Sequence, residues 1–408
     1  MNRGKKGDFS MRSLKRAVAL FSVVLMAFSQ GISAFGASAF YREPASKKGL
    51  LCQTEAMLSD CIELGTDQVI FNVPMSAALN EGTLRAYDSF INNLDANGVS
   101  ITVVLLNDRQ SIRPELIYGD QNAACNYFMF NVFTDEGKAA VTELVGSLAS
   151  RWQNKVSNWI IGNEVQDQIW NYIGPMDIES YCRKYAEVFR TCYDLIKSHN
   201  SLAEVYIPFD YGWKNEENGS TKYSGRNCLD LFSRIFKEGG DIDWGVAWHA
   251  YPDPLTSPVF WDEGLATDSP DSYIVNLKNL HILTDYMQRD EMLSPSGEVR
   301  NIILSEQGFT SSVNGVTDEN LQAAAYAYGY FIAENNPYIK AFMLNRQVDA
   351  KTEVLQGHSF GIWNTDMNAA ENEKAVSKKY LWQVFKDIDT DNNSYIKELV
   401  RNYTGASF

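Results

Sequence analysis

Short apolar runs alternate with longer amphipathic stretches along most of the chain. "QVIFNVP" (68–74) and "SITVVLLN" (100–107) have the continuous apolar character of strands that are buried on both faces. Eight such runs occur, at residues 47–52, 68–74, 100–107, 158–164, 204–210, 243–252, 301–309 and 339–345. No Pro- or Ser-rich linker separates them, so the pattern predicts an α/β protein with a single (β/α)8 TIM barrel and long βα loops.

The stretches between these runs have helical spacing. Helices are predicted up to residue 64 and over 82–97, 135–152, 178–198, 227–237, 272–290, 318–335 and 377–386. Two long loops, 106–134 and 211–227, follow predicted strands three and five, and loops at that face of a barrel carry specificity.

The first 39 residues have the pattern of an export signal. A basic leader precedes the apolar run 17–29, which is of signal-peptide length, and Ala37-Ser38-Ala39 supplies small residues for cleavage. We therefore predict a signal peptide at 1–39 and one catalytic domain at 40–408, secreted or held at the cell surface. The alternative is an uncleaved membrane anchor, and membrane association is expected only in that case.

Composition narrows the class of partner. The chain has 408 residues, a net charge of −15 and a pI near 4.8, which argues against nucleic acid as a partner. Four histidines occur without an HxH or HExxH pattern, so no metal site is predicted and no cofactor is implied. The six cysteines fit no CxxC pattern; buried free thiols are favoured over disulfides, and the oligomeric state is left open.

Polar residues follow the apolar runs at three predicted strand ends. Asn163 and Glu164 end strand four, His249 and Tyr251 end strand six, and Glu306 ends strand seven. Because the βα loops of a barrel converge at one face, these side chains are expected to share a pocket. A carboxylate at the end of a buried strand is costly unless it is paired or used, so either glutamate alone could be a salt-bridge partner.

Two carboxyl groups at one pocket suit glycoside hydrolysis. A retaining mechanism needs them roughly 5 to 5.5 Å apart, one protonated to assist the leaving group and one ionised to attack the anomeric carbon. Barrel closure would bring Glu164 and Glu306 together although 142 positions separate them in the sequence.

"WIIGNEV" on strand four and "ILSEQGF" on strand seven resemble the paired signatures of the clan A retaining glycoside hydrolases, the four-seven superfamily of (β/α)8 barrels. The resemblance spans residues 47–386 and is closest to bacterial barrels of unassigned specificity. It implies that Glu164 is the general acid/base, Glu306 the nucleophile, and Asn163 a donor to the sugar 2-hydroxyl.

"WHAYP" is similar to the clan's His/Tyr position, so either His249 or Tyr251 is expected to hydrogen-bond Glu306, the alternative being a core histidine. The clan's arginine near the nucleophile is missing from "FNVPM" on strand two, and Arg109 after strand three is the possible substitute. Arg109, and Arg346 and Asp349 after strand eight, are weaker candidates, each of which could bind a sugar hydroxyl or simply pair within the loops.

Nine tryptophans divide by position into two groups. Trp170, Trp213, Trp248, Trp261 and Trp363 fall at or just beyond strand ends on the proposed active face and are predicted to stack on sugar rings, with core packing as the alternative for any one of them. The other four are predicted to be core: Trp152, Trp159, Trp244 and Trp382.

"DIDTDNNSYIKE" (387–398) places carboxylates at positions 1, 3, 5 and 12 of an EF-hand loop. Position 6, normally glycine, is Asn392, so a solvated acidic turn is favoured and calcium binding is left open.

The sequence thus predicts an exported retaining glycoside hydrolase with a carbohydrate substrate, acting on a β-linked saccharide or glycoside. A barrel that binds carbohydrate without catalysis is the main alternative. A metal-dependent amidohydrolase is disfavoured by the scarcity of histidines.

Overall fold

The computed structural model describes residues 37–53, 55–214 and 217–408. Eight parallel strands form a closed barrel in which β1 pairs with both β2 and β8. The strands are β1 Lys48–Leu51, β2 Gln68–Pro74, β3 Ser100–Leu106, β4 Asn158–Ile161, β5 Glu204–Phe209, β6 Trp244–His249, β7 Ile302–Gln307 and β8 Ile339–Leu344. This confirms the predicted (β/α)8 barrel.

Helices surround the barrel and occupy its loops. The α-helices described are Leu58–Glu63, Met75–Ala78, Glu81–Ala96, Asp135–Trp152, Ile178–His199, Gly225–Glu238, His281–Met287, Glu319–Glu334, Lys351–Val354, Tyr380–Asp387 and Ser394–Thr404. Short 3-10 helices lie at Glu55–Met57, Pro114–Leu116, Phe260–Asp262 and Leu277–Asn279, and small hairpins pair Ser312–Val313 with Val316–Thr317 and Trp363–Thr365 with Ala375–Lys378.

Side-chain caps fix where several of the outer helices begin. Thr134, Asp177 and Ser224 each accept a hydrogen bond from the backbone N–H three residues later, which satisfies an otherwise unpaired donor. The helices after β3, β4 and β5 therefore begin at defined residues beyond their long loops.

Two apolar layers result from the alternation of side chains along the strands. Inside the barrel lies a small cluster of ten residues: Leu51, Ile70, Val104, Leu106, Ile160, Tyr206, Ala247, Ile303, Ala341 and Met343. The much larger cluster lies between the strands and the helices. A side chain that ends a strand on the inner face therefore points into the mouth of the barrel.

Two predicted elements differ from the structure. The helix expected over 272–290 is reduced to Leu277–Asn279 and His281–Met287, because Asn276 and Asn279 form a capping box that starts the helix late. The segment 387–398 is more ordered than the solvated acidic turn that was expected. Lys48 Nζ forms an ion pair with Asp389 Oδ1 at 2.6 Å, and an α-helix begins at Ser394.

The predicted signal peptide lies outside the described residues except for residues 37–39. There, Ser38 N–H donates to His199 O at 2.7 Å. Within the described part of the chain, no helix is long and apolar enough to cross a membrane. All six cysteines are free thiols, and five of them are buried.

Candidate active site

Glu164 leaves β4 through an unusual backbone path. Gly162 has φ +86°, and a Cβ there would lie 3.2 Å from Asn171 Oδ1, so a side chain at this position would be strained and crowded. Glu164 itself has φ +35°, which non-glycine residues rarely adopt and which often marks a functional site. The turn brings the Glu164 carboxylate to the mouth of the barrel, where it is 16% exposed.

Glu306 reaches the same mouth because β7 contains a bulge. Trp248 pairs with Leu304, but the next pair joins His249 to Glu306, so Ser305 is an extra residue in β7. The same irregularity appears in the pairing with β8. A bulge changes which face the following residues present. Glu306 therefore aligns with His249 on the inner face.

One imidazole connects the two glutamates. His249 Nδ1 lies 2.9 Å from Glu164 Oε1 and 4.0 Å from Glu306 Oε2. The two carboxylate oxygens are therefore separated by no more than the sum of these two distances. Glu164 and Glu306 share one pocket, as the strand count predicts.

A hydrogen-bonded pair of side chains supports Glu306 from the other side. Tyr251 OH donates to Glu306 Oε1 at 2.7 Å, and Asn345 Nδ2 contacts Tyr251 OH at 2.6 Å and Glu306 Oε1 at 3.3 Å. The question of which residue of "WHAYP" contacts Glu306 thus has a geometric answer. Tyr251 makes the hydrogen bond to Glu306, and His249 makes the one to Glu164.

The charges of the site alter its titratable groups. Burial alone would lower the pKa of His249, but the charge of Glu306 and the hydrogen bond to Glu164 outweigh it and raise that pKa. Burial and the charge of Glu306 raise the pKa of Tyr251 well above its ordinary value, so Tyr251 stays a hydrogen-bond donor.

The structure corrects the expected arginine. Arg109 does not support Glu306: its guanidinium donates to the carbonyls of Gln121 and Ala123, so it organises the loop after β3. Arg346, after β8, is the arginine close to this site: burial lowers its pKa, but the charges of Glu353, Glu373 and Glu306 outweigh that effect and raise it.

Arg346 itself is held by two glutamates. Its guanidinium bonds to Glu373 and lies 2.7 Å from Glu353 Oε1. Burial and the charge of Glu306 raise the pKa of Glu353 to about 7 despite this ion pair. Asp349, the other candidate after β8, instead pairs with buried Lys379 at 2.8 Å.

The predicted sugar platforms also need correction. Trp213 and Trp248 are fully buried, and their indole N–H groups donate to Pro270 O and Val275 O at 2.9 Å. Neither presents a face to solvent, because strand alternation and loop packing direct both side chains into the large apolar cluster between the strands and the helices. They pack on each other edge to face at 6.0 Å.

Trp363 and Trp261 likewise pack outside the barrel mouth. The Trp363 indole donates to Asp60 Oδ2 at 2.9 Å, and its ring packs on the large apolar cluster between the strands and the helices. Trp261 lies edge to face against Phe260 at 5.3 Å. The four tryptophans that were predicted to be core are all buried.

Trp170 and Asn163 remain as candidates for contact with substrate. Asn163 is half-buried directly before Glu164. Trp170 is half-buried, with its ring centroid 6.1 Å from that of Tyr127, which packs on the apolar cluster inside the barrel. Tyr127 was not identified from the sequence. The aromatic pair therefore lies beside the floor of the pocket.

Two further polar residues of the site were also missed, Asn345 after β8 and Asp210 after β5. Both end an apolar strand, the signal that identified Asn163 and Glu164. Among residues 37–53, 55–214 and 217–408, no group of three or more His, Cys, Asp or Glu side chains is arranged to hold a metal ion.

The closed (β/α)8 barrel, with Glu164 after β4 and Glu306 on β7 paired in its mouth, defines the structural class. Within that class, the chain belongs to DUF5722, a family of unknown function whose model matches residues 40–408. No curated protein sequence matches the chain.

Solved structures with the same fold include a family 39 glycoside hydrolase from the gut symbiont Bacteroides cellulosilyticus WH2. Its TM-score is 0.60 at 16% identity, with 88% of this chain and 66% of that one covered, so this chain spans about two thirds of its length. A glucosidase from Croceicoccus marinus has a TM-score of 0.54 at 12% identity, covering 86% and 68%. A family 1 b-glucosidase from Thermotoga maritima has 0.53 at 14%, covering 82% and 85%. At these identities the likeness establishes the fold.

Proposed function

We propose that this protein is an exported retaining glycoside hydrolase that cleaves a β-linked saccharide or glycoside by double displacement. The observation that carries the proposal is the position of His249, whose Nδ1 lies within 4.0 Å of carboxylate oxygens of both Glu164 and Glu306. Two carboxylates this close in a barrel mouth are expensive to maintain unless they are used.

The geometry favours retention over inversion. Inverting enzymes hold their carboxyl groups roughly 6.5 to 9.5 Å apart to admit a water, whereas retaining enzymes hold them roughly 5 to 5.5 Å apart. The contacts of His249 limit the separation of the nearest oxygens of Glu164 and Glu306 to below most of the inverting range.

In the first step, Glu306 attacks the anomeric carbon while Glu164 gives its proton to the departing glycosidic oxygen. This forms a glycosyl ester on Glu306 and releases the aglycone. Glu164, now ionised, removes a proton from water, which attacks the anomeric carbon and frees Glu306. Tyr251 and Asn345 donate to Glu306 Oε1, so the attacking carboxylate is held in a fixed orientation.

Substrate recognition is proposed to use Asn163 as a donor to the sugar 2-hydroxyl, and Trp170 with Tyr127 as an apolar surface for the C–H face of a sugar ring. The β-linkage is proposed because solved structures with the same fold include a b-glucosidase. The test must therefore include substrates with different sugars.

The test is a panel of aryl glycosides and polysaccharides assayed with wild type, Glu306→Gln and Glu164→Gln. We expect Glu306→Gln to abolish turnover, and Glu164→Gln to slow substrates with poor leaving groups far more than those with good ones. NMR of the first-formed product should show the anomeric configuration of the substrate. Saccharide binding without turnover by wild type would instead support a carbohydrate-binding barrel.

Export is proposed on the basic leader, the apolar run 17–29 and the small residues 37–39. Expression of the full chain followed by amino-terminal sequencing of the secreted product tests it, with a mature start near residue 40 expected. A product that retains the leader and sediments with membranes would favour the uncleaved anchor.

A further inference from the structure

Two buried thiols lie between the helices that follow β4 and β5. Cys182 is near the start of the helix Ile178–His199, and Cys228 is near the start of the helix Gly225–Glu238. Both side chains are fully buried. No step of the proposed reaction uses either thiol.

The starts of the two helices place these cysteines side by side. β4 and β5 are neighbouring parallel strands, so the helices that follow them run in the same direction. Asp177 caps the first helix and Ser224 caps the second. Cys182 lies five residues after its cap and Cys228 four residues after its own. At 1.5 Å of rise per residue, roughly the same height along each helix results.

Aromatic contacts on both sides of the pair fix this register. The ring of Tyr181 lies 4.9 Å from that of Tyr223, and the ring of Tyr185 lies 5.3 Å from that of Phe232. The two cysteines lie between these contacts, and their thiols hydrogen-bond to each other. A disulfide requires side chains that already point at each other across a short gap, and this pair meets that condition.

The environment of the pair determines when it can react. Burial and the hydrogen bond to Cys182 raise the pKa of Cys228 well above its ordinary value. The thiolate is the form that attacks a disulfide, so exchange at this position is slow once the protein has folded. Reaction is fast only before the two helices pack together. An exported chain meets an oxidising environment at that stage.

We propose that Cys182 and Cys228 form a disulfide as the exported chain folds, with the disulfide of a thiol–disulfide exchange protein as the oxidant. The thiolate of one cysteine attacks that disulfide and releases one thiol of the exchange protein. The other cysteine attacks the resulting mixed disulfide. A bond then joins the two Sγ atoms, and the exchange protein leaves as a dithiol that has gained two electrons and two protons. The structure shows the reduced form of the pair.

The bond would fasten the base of the loop pair that borders Glu164. The loops after β4 and β5 are joined by backbone hydrogen bonds: Tyr223 N–H donates to Gln166 O, and Gln168 N–H donates to Thr221 O, both at 2.8 Å. Each loop leads directly into one of the two cysteine-bearing helices. A disulfide between those helices would therefore hold together two segments that must stay in register at the mouth of the barrel.

The inference rests on the proposed export and not on the proposed hydrolysis, so its test needs no substrate. The full chain is expressed in a host with an oxidising cytosol, where it meets a disulfide oxidant whether or not its own leader directs export. The protein is denatured, alkylated without reduction, digested and mapped by mass spectrometry. We expect a linked pair of peptides that carry Cys182 and Cys228. Cys192, a buried thiol of the same helix, is the internal control and should be alkylated. Complete alkylation of Cys182 and Cys228 would overturn the inference.

Unfolding midpoints with and without prior reduction test what the bond does. Closing a loop of this length restricts the unfolded chain, so reduction should lower the midpoint of the wild type by roughly 5 °C. The fall should be equally large in Cys192→Ala and smaller in Cys228→Ala, because only the second variant lacks the bond. Equal falls in all three proteins would show that this pair contributes no stabilising bond, whatever reaction the active site performs.

Discussion

Replacing Tyr251 by phenylalanine tests how the proposed nucleophile is held in place. The change removes the hydroxyl that donates to Glu306 Oε1 at 2.7 Å and keeps the ring, which packs 5.7 Å from that of Phe360. A hydrogen bond to a charged group contributes about 1.5 to 3 kcal/mol, and about 1.4 kcal/mol corresponds to a tenfold change in rate. Asn345 Nδ2, already 3.3 Å from the same oxygen, can compensate in part. We therefore expect kcat/KM to fall about tenfold.

The direction follows from the role of Glu306 in the proposed reaction. Glu306 attacks through the carboxylate that Tyr251 holds in place, so loss of the hydroxyl should slow formation of the glycosyl ester. The assay is initial-rate hydrolysis of a substrate with a good leaving group. Tyr326→Phe is the control, because Tyr326 is also buried and its hydroxyl has no hydrogen-bond partner among the described residues. A wild-type kcat/KM in Tyr251→Phe would refute the reasoning.

Three further changes test the packing around the site. Trp248→Ala should destabilise the protein by about 3 to 5 kcal/mol, read from chemical denaturation, because Trp248 is buried core; a stable variant with weakened sugar binding would restore its expected role as a platform. Lys379→Met should cost about 3 to 5 kcal/mol by leaving Asp349 charged and buried, and Lys379→Met/Asp349→Leu should recover much of it in the same assay. Gly308→Ala should affect kcat more strongly than it affects the unfolding midpoint, because the added Cβ would lie 2.7 Å from the carbonyl oxygen of Asn345 and 2.6 Å from the Phe360 ring. A wild-type kcat would contradict this prediction.

The order of elements was predictable from the sequence because buried parallel strands are continuous apolar runs. The pairing of Glu164 with Glu306 followed from the strand count. What the pattern cannot reveal is a break in the alternation of side chains near the end of a strand. In β7 the extra residue Ser305 breaks the alternation, so counting from Ile303 alone would turn Glu306 to the outside. A bulge depends on pairing with neighbouring strands and leaves no sequence signature here.

Other differences could have been predicted from the same principle. Ala247 lies on the inner face, so Trp248 must point outward and His249 inward, which excludes Trp248 from the pocket. Asn345 and Asp210 each end an apolar run, as Glu164 does. By contrast, the role of Arg109 depends on the path of the 28-residue loop between β3 and the helix that begins at Asp135. Carbonyl oxygens of that loop accept the hydrogen bonds of the Arg109 guanidinium. No local pattern predicts such a contact.

The electrostatics of the pocket connect these observations to the proposed chemistry. Glu164, Glu306 and Asp210 face one imidazole, and the nearby guanidinium of Arg346 is already paired with Glu353 and Glu373. Glu353 and Glu373 thereby offset the positive charge of Arg346, which would otherwise oppose the oxocarbenium-like transition state of the proposed reaction. Arg346 holds Glu353, whose pKa burial and the charge of Glu306 raise to about 7. In the proposed reaction, the carboxylates of this pocket would stabilise the positive charge that develops on the sugar ring.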